Sequence, residues 1–285
     1  MNAAPRPPSA PGVHASALQA LRLRDPVDKC ACVARLLQAW HLGGLEIHPG
    51  DPEPVRIEVP GRPQRPALVR PQDLPRRGLH TEEGRKALLH AIAHIEFNAI
   101  NLALDAVYRF RNMPSGYISD WLQVAAEEAR HFGLVARRLA ELGADYGDFP
   151  AHNGLWEMAL KTDTDPMQRM ALVPRVLEAR GLDVTPGMIR RLEAAGDQAS
   201  VAVLQVIQRE EVGHVAIGSR WFRFLARKRG LDPETTFLDL LEQHMPGRVR
   251  PPFALEARLA AGFSRGEMSA LEKRAAAQGC PGAVG

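Results

Sequence analysis

The sequence predicts an all-α fold centred on a four-helix bundle, and three observations carry that expectation. Four long segments have helical character, and three of them set apolar residues at helical spacing with charges on the opposite face. Helix-breaking residues fall at the ends of these segments, at Met113-Pro-Ser-Gly116, Gly143, Gly181 and Gly230. The connection between the second and third segments, residues 144–165, is a long crossover and not a tight turn.

In chain order, residues 1–12 are rich in Pro and Ala and read as a disordered tail. Residues 14–42 read as one or two short helices, with Leu18, Leu21, Val33, Leu36, Leu37 and Trp40 as their apolar positions. From 43 to 80, prolines and glycines interrupt short apolar pieces such as Val55-Arg-Ile-Glu-Val59, which predicts an irregular arm wrapping the main domain and completes an N-terminal region 13–80. Thr81 followed by two glutamates can cap and open the first long helix, which should run to about Asn112. The second should span about Tyr117 to Leu142, and a short helix near Gly154-Leu-Trp-Glu-Met158 should interrupt the crossover. The third should run from about Pro166 to Arg180, with Thr185-Pro-Gly187 opening a separate short helix to about Ala195. The fourth should follow Gly196-Asp197 and end near Gly230, closing a bundle domain 81–230. Short helices around 233–244, 253–262 and 266–277 should form a C-terminal extension, 231–285.

Composition narrows the function classes. With 285 residues, 45% apolar and 24% charged, the chain is ordinary for a soluble globular protein. No run approaches the length of a membrane span, so no membrane partner is expected. The opening Met-Asn-Ala-Ala-Pro-Arg-Pro-Pro8 lacks a charged segment followed by an apolar one, so no secretory signal is expected. Cys30, Cys32 and Cys280 form no disulfide framework, and Cys30-Ala-Cys32 has no second pair with which to build a metal site. These features predict a cytoplasmic location. A net charge of +3 does not by itself imply a nucleic-acid partner. The cluster Arg220, Arg223, Arg227 and Arg229 reads as a solvated face, its charges favourable at a helix C-terminus.

The chemistry lies in a doubled pattern. Glu128-Ala-Arg-His131 and Glu211-Val-Gly-His214 are Glu-x-x-His motifs on long helices, where residues three apart share a face. A carboxylate and an imidazole can thus reach one metal ion. One such motif alone is weak, because it arises by chance and is usually structural. Here each motif follows a helix that supplies a Glu inside an apolar stretch, Glu96 and Glu178, at separations of 32 and 33 residues. A Glu from each of two helices plus Glu-x-x-His from each of two others is the dinuclear carboxylate pattern. Four carboxylates facing one core would repel and lose hydration, and two divalent cations would cancel their charge. Carboxylate and imidazole donors suit iron or manganese; a site without Cys argues against closed structural zinc. Glu127 and Glu210, four before each His, could reach the same face, but the three-residue spacing favours Glu128 and Glu211. His94 lies two residues before Glu96, roughly on the opposite face, and is not read as a ligand. Tyr108 and Tyr117 could approach the metals from the bundle end but read first as core residues, as do Trp156 and Trp221.

These stretches resemble a known family. Ala93-His-Ile-Glu-Phe-Asn-Ala-Ile-Asn-Leu-Ala-Leu-Asp105, Val124-Ala-Ala-Glu-Glu-Ala-Arg-His-Phe132, Tyr146-Gly-Asp-Phe-Pro-Ala-His-Asn-Gly-Leu-Trp156, Leu177-Glu-Ala-Arg-Gly-Leu-Asp183, Glu210-Glu-Val-Gly-His-Val-Ala-Ile-Gly218 and Pro252-Phe-Ala-Leu-Glu-Ala-Arg-Leu-Ala-Ala-Gly-Phe263 are similar to a bacterial family described as a ferritin-like domain of unknown function. The likeness covers about 70–263. It implies a ferritin-like bundle and the metal ligands Glu96, Glu128, His131, Glu178, Glu211 and His214, and no substrate. The site type is more distantly similar to the tRNA hydroxylases of the ferritin-like group, a likeness that does not by itself give function.

The leading expectation is therefore an oxidoreductase with two iron ions, or one iron and one manganese. It would activate O2 toward a small molecule or a modified tRNA base, with an electron-donor protein as a possible partner and a homodimer as a possible assembly. The alternatives are an iron-handling ferroxidase, storage subunit or peroxide scavenger, and a non-catalytic helical binding module.

Overall fold

A computed structural model describes residues 11–48, 51–75 and 78–277. The disordered-tail expectation for 1–12 falls almost wholly outside these residues, as does Cys280. Among the described residues the fold is all-α, with no strand and two isolated β-bridges, Gly12 to Glu46 and Leu68 to Ala151. The helices are α1 (Val13–Arg22), α2 (Pro26–His41), α3 (Glu82–Arg109), α4 (Ser115–Glu141), α5 (Gly154–Lys161), α6 (Pro166–Leu172), α7 (Ala179–Ala194), α8 (Gln198–Lys228), α9 (Pro233–His244), α10 (Leu255–Ala260) and α11 (Arg265–Ala277). Contacts divide the chain into two compact units: residues up to Arg65 with Glu96–Phe132, and Pro66–Ile95 with Gly133 onward.

In the first unit, α1 buries Val13, Ala17, Ala20 and Leu21, one stripe at helical spacing. Asp25 caps α2 by accepting from the amides of Val27 and Asp28. Lys29, fully buried, donates its ammonium to Leu21 O, Gly61 O and Asn101 Oδ1, and so ties α1, the arm and α3 together. The described arm residues 43–48 and 51–65 are irregular, as the sequence predicts. The Val55 amide donates to Tyr108 Oη, which makes Tyr108 a buried anchor for the arm.

In the second unit, α6 and α7 pack along α8 and form its principal helix contacts. Asp197 caps α8 through the Ser200 amide and hydroxyl, and its carboxylate also pairs with Arg138 at 2.9 Å and Arg85 at 3.5 Å. Leu204, Val215, Phe222 and Leu225 are among the core residues of α8.

Two sequence expectations need correction. The third helix does not stop at Arg180, and no new helix opens at Thr185. Instead α6 passes into a π-helical turn, Val173–Glu178, and continues as α7 through Gly181 and Pro186 without a break. Burial of Leu182, Ile189 and Leu192 in a helix packed on α8 outweighs the local helix-breaking preferences. Membrane length is the second case: α3 contains a window of mean hydropathy 1.3, long and apolar enough by composition to cross a membrane. That window is 78% buried within the protein, and a helix buried around most of its circumference is apolar for that reason.

Candidate metal centre

Glu96, on α3, and Glu128 and His131, on α4, come together in the first unit. Ile92, Ala93, Ala99 and Ile100, three and four residues to either side of Glu96, are apolar and buried, which carries the carboxylate inward with that helix face. The i, i+3 spacing puts Glu128 and His131 side by side. His131 Nδ1 lies 3.2 Å from a Glu96 oxygen and 3.6 Å from a Glu128 oxygen. Their donor atoms all lie within 4.8 Å of one another. The three residues are 4%, 1% and 0% exposed. Phe97 and Phe132, each the next residue along its helix from this group, meet with ring centroids 5.5 Å apart and help to exclude water.

Electrostatics sets what this group can hold. Burial works against a charged His131, but hydrogen bonds and charge from Glu128 and Glu96 outweigh it and raise its pKa to about 11. Two buried carboxylates thus draw a positive charge into the pocket. A proton on His131 supplies one; a divalent cation supplies more and frees the imidazole to be a neutral ligand. The donor set, two carboxylates and an imidazole without thiolate, fits iron or manganese.

In the second unit, α8 brings His214 Nδ1 to 3.4 Å from a Glu211 oxygen, the same i, i+3 pairing. His214 is 1% exposed and the Glu211 side chain 12%. Glu178 is the last residue of the π-turn and half-buried. Pro174 underlies this turn: it has no amide hydrogen to give the helix ladder, and its ring lies against Gly218 of α8. Such turns are frequent where a helix carries functional residues.

The remaining candidates have other partners. His94 bonds to Tyr146 Oη and His152 O, consistent with a side chain turned from Glu96. Glu127 accepts from Gln123 at 2.7 Å. Tyr117 packs on Trp121 in the core, and Trp156 and Trp221 are buried. Of the arginine cluster, Arg223 donates to Gly262 O and Arg229 pairs with Asp165, so half of it ties loops to α8. Cys30 and Cys32 are free thiols.

Sequence reasoning missed three buried ion pairs, Arg175–Glu267 at 2.7 Å, Asp183–Arg258 at 2.7 Å and Asp105–Arg109 at 2.8 Å. A signal existed for the first: Arg175 stands inside the apolar run Leu172-Val-Pro-Arg-Val-Leu177.

An all-α chain with paired Glu-x-x-His motifs, one of them closed onto a buried glutamate, belongs to the class of helical proteins with internal carboxylate–imidazole groups. Comparison gives the particular family. The model described as "Protein of unknown function (DUF455)" matches residues 22–269, and the chain belongs to that family. The match begins well before residue 70, so it takes in most of the N-terminal region as well. The chain is also 46% identical over 261 residues to a protein of Haemophilus influenzae named "Uncharacterized protein", covering 87% of this chain and 90% of the relative. No solved structure matches it.

Proposed function

We propose that this protein is a ferritin-like, non-haem oxidoreductase that uses two iron ions, or one iron and one manganese, to activate O2 toward a small molecule or a modified nucleoside. The observation that carries the reading is the buried Glu96–Glu128–His131 group. Three ionisable side chains so well removed from water are costly unless a cation compensates them. The sequence repeats the arrangement as Glu178 with Glu211 and His214, and the pairing observed between Glu211 and His214 supports that repeat.

In this reading Glu96, Glu128, Glu178 and Glu211 would hold the metals through their carboxylates, and His131 and His214 through their imidazoles. Two ferrous ions held there would supply the electrons for reducing O2. The chain's own part is to hold six donors in place, to supply four carboxylate charges that offset those of two divalent cations, and to keep bulk water out with Phe97, Phe132 and the apolar faces of the helices.

The test is to load the protein with Fe(II) without oxygen, add O2, and follow oxygen uptake and visible absorption. Rapid uptake with new absorption bands, both absent in E128A, is the predicted outcome. Uptake no faster than that of Fe(II) in buffer would remove the oxidoreductase reading.

A further inference from the structure

Three residues around Glu178 reach into one C-terminal segment. Arg175, three residues before it, donates Nη2 to Glu267 Oε1 at 2.7 Å and Nε to Ser219 Oγ at 3.2 Å. Its guanidinium stands in a cage of aromatic rings, 4.9 Å from Phe222, 4.0 Å from Phe237 and 4.5 Å from Phe263. Arg180, two residues after Glu178, donates to Arg250 O and Pro252 O. Asp183, five after, accepts a two-pronged bond from Arg258 at 2.8 and 2.7 Å and a third from the Ala254 amide at 2.9 Å. The Phe263 ring is shared, with Arg258 4.9 Å from its centroid on the C-terminal side.

The far ends of these ties are themselves fixed. Glu267 forms a capping box with Ser264, accepting from the Ser264 amide and donating its own amide to the Ser264 hydroxyl. One carboxylate therefore caps α11 with one oxygen and holds Arg175 with the other. Arg175, Glu267, Asp183 and Arg258 are all buried.

A π-turn needs such support. It carries one extra residue, and its loss would shift the register of everything beyond it by one position, about 100° around the helix axis. Glu178 sits at the end of the turn and would swing with it. We propose that Arg175, Arg180 and Asp183 are positioning residues, and that the segment 250–267 is a clamp that locks the π-turn and thereby aims Glu178. The proposal rests on Glu178 being a metal ligand, as in the function proposed above.

Co(II) serves as the probe, because its visible spectrum reports ligand number and geometry without turnover. The variants are the double substitution R175M/E267L, which removes the ion pair but keeps apolar volume, and E178Q as reference. Replacing a buried pair with apolar residues commonly preserves the fold, and circular dichroism and a thermal melt check that it does. The expected result is a folded double variant that binds Co(II) at least ~10-fold more weakly, with a spectrum shifted toward that of E178Q. A folded double variant with wild-type affinity and spectrum overturns the clamp. If R175M/E267L does not fold, R180M, which removes the bonds to Arg250 O and Pro252 O and the 3.7 Å pairing with Asp183, is read by the same criteria. Unchanged Co(II) binding in E178Q, or no Co(II) binding in the wild type, overturns the ligand reading and the clamp together. A changed E178Q beside an unchanged clamp variant overturns the clamp alone.

Discussion

At Gly218 the α8 backbone lies against Pro174, and a Cβ there would overlap the proline ring. Glycine is required by space and not by backbone angle. G218A should cost about 1–3 kcal/mol through overpacking, read as a lower urea midpoint; an unchanged midpoint would show that the π-turn yields freely. His90 offers a pH test. It is fully buried, and the Gly147 amide donates to its Nε2, which requires a neutral ring. Burial, opposed only by the Asp148 charge, lowers its pKa from 6.5 to about 4. The unfolded chain therefore takes up the proton first, so the stability His90 contributes is complete above about pH 6.5 and falls as the pH drops toward 4. Wild type should lose more of its urea midpoint between neutral and acid pH than H90Q does, and parallel losses would contradict this. Some residues gave no warning in sequence. Lys29 stands beside Asp28 like any surface lysine, yet it is fully buried, because its acceptors come from 8, 32 and 72 residues away.

Among elements, the ends of α3, α4, α8 and α9 were legible because caps and breakers are local. Thr81 accepts from the Gly84 amide at 3.0 Å, and Gly143, Gly196 and Gly230 take the positive φ that closes a helix. The π-turn and the passage of α7 through Gly181 and Pro186 were not legible, since both depend on packing with α8 and ties to residues 70 or more positions away. Asp197 is where an element's end becomes a tertiary joint: it caps α8 and takes charge from Arg138 and Arg85. D197A should cost at least ~1 kcal/mol for the cap alone, and more because two arginines lose their partner. D197N, which can keep the cap but not the charge, should fall between. Equal midpoints for D197A and wild type would contradict the joint.

For the whole molecule, the all-α class followed from helical periodicity and helix-breaking residues, the family from the likeness of stretches such as 93–105 and 210–218, and the candidate ligands from spacing, Glu96 and Glu178 each standing ahead of a Glu-x-x-His motif. Spacing of this kind is visible because a helix converts sequence distance into a shared face. It placed Glu96, Glu128 and His131, which meet, and Glu211 and His214, which pair. It did not reveal the ties on either side of the π-turn, because the Arg175–Glu267 and Asp183–Arg258 pairs join residues 92 and 75 positions apart.

The most direct measurement is the metal content of the purified chain after Fe(II) reconstitution, beside the variant E128A/E211A. The account predicts about two metal ions per chain, lost in the variant while its circular dichroism is retained. A metal-free wild type after reconstitution, or equal metal in both proteins, would contradict a dinuclear centre and leave a helical binding protein with buried, proton-balanced carboxylates.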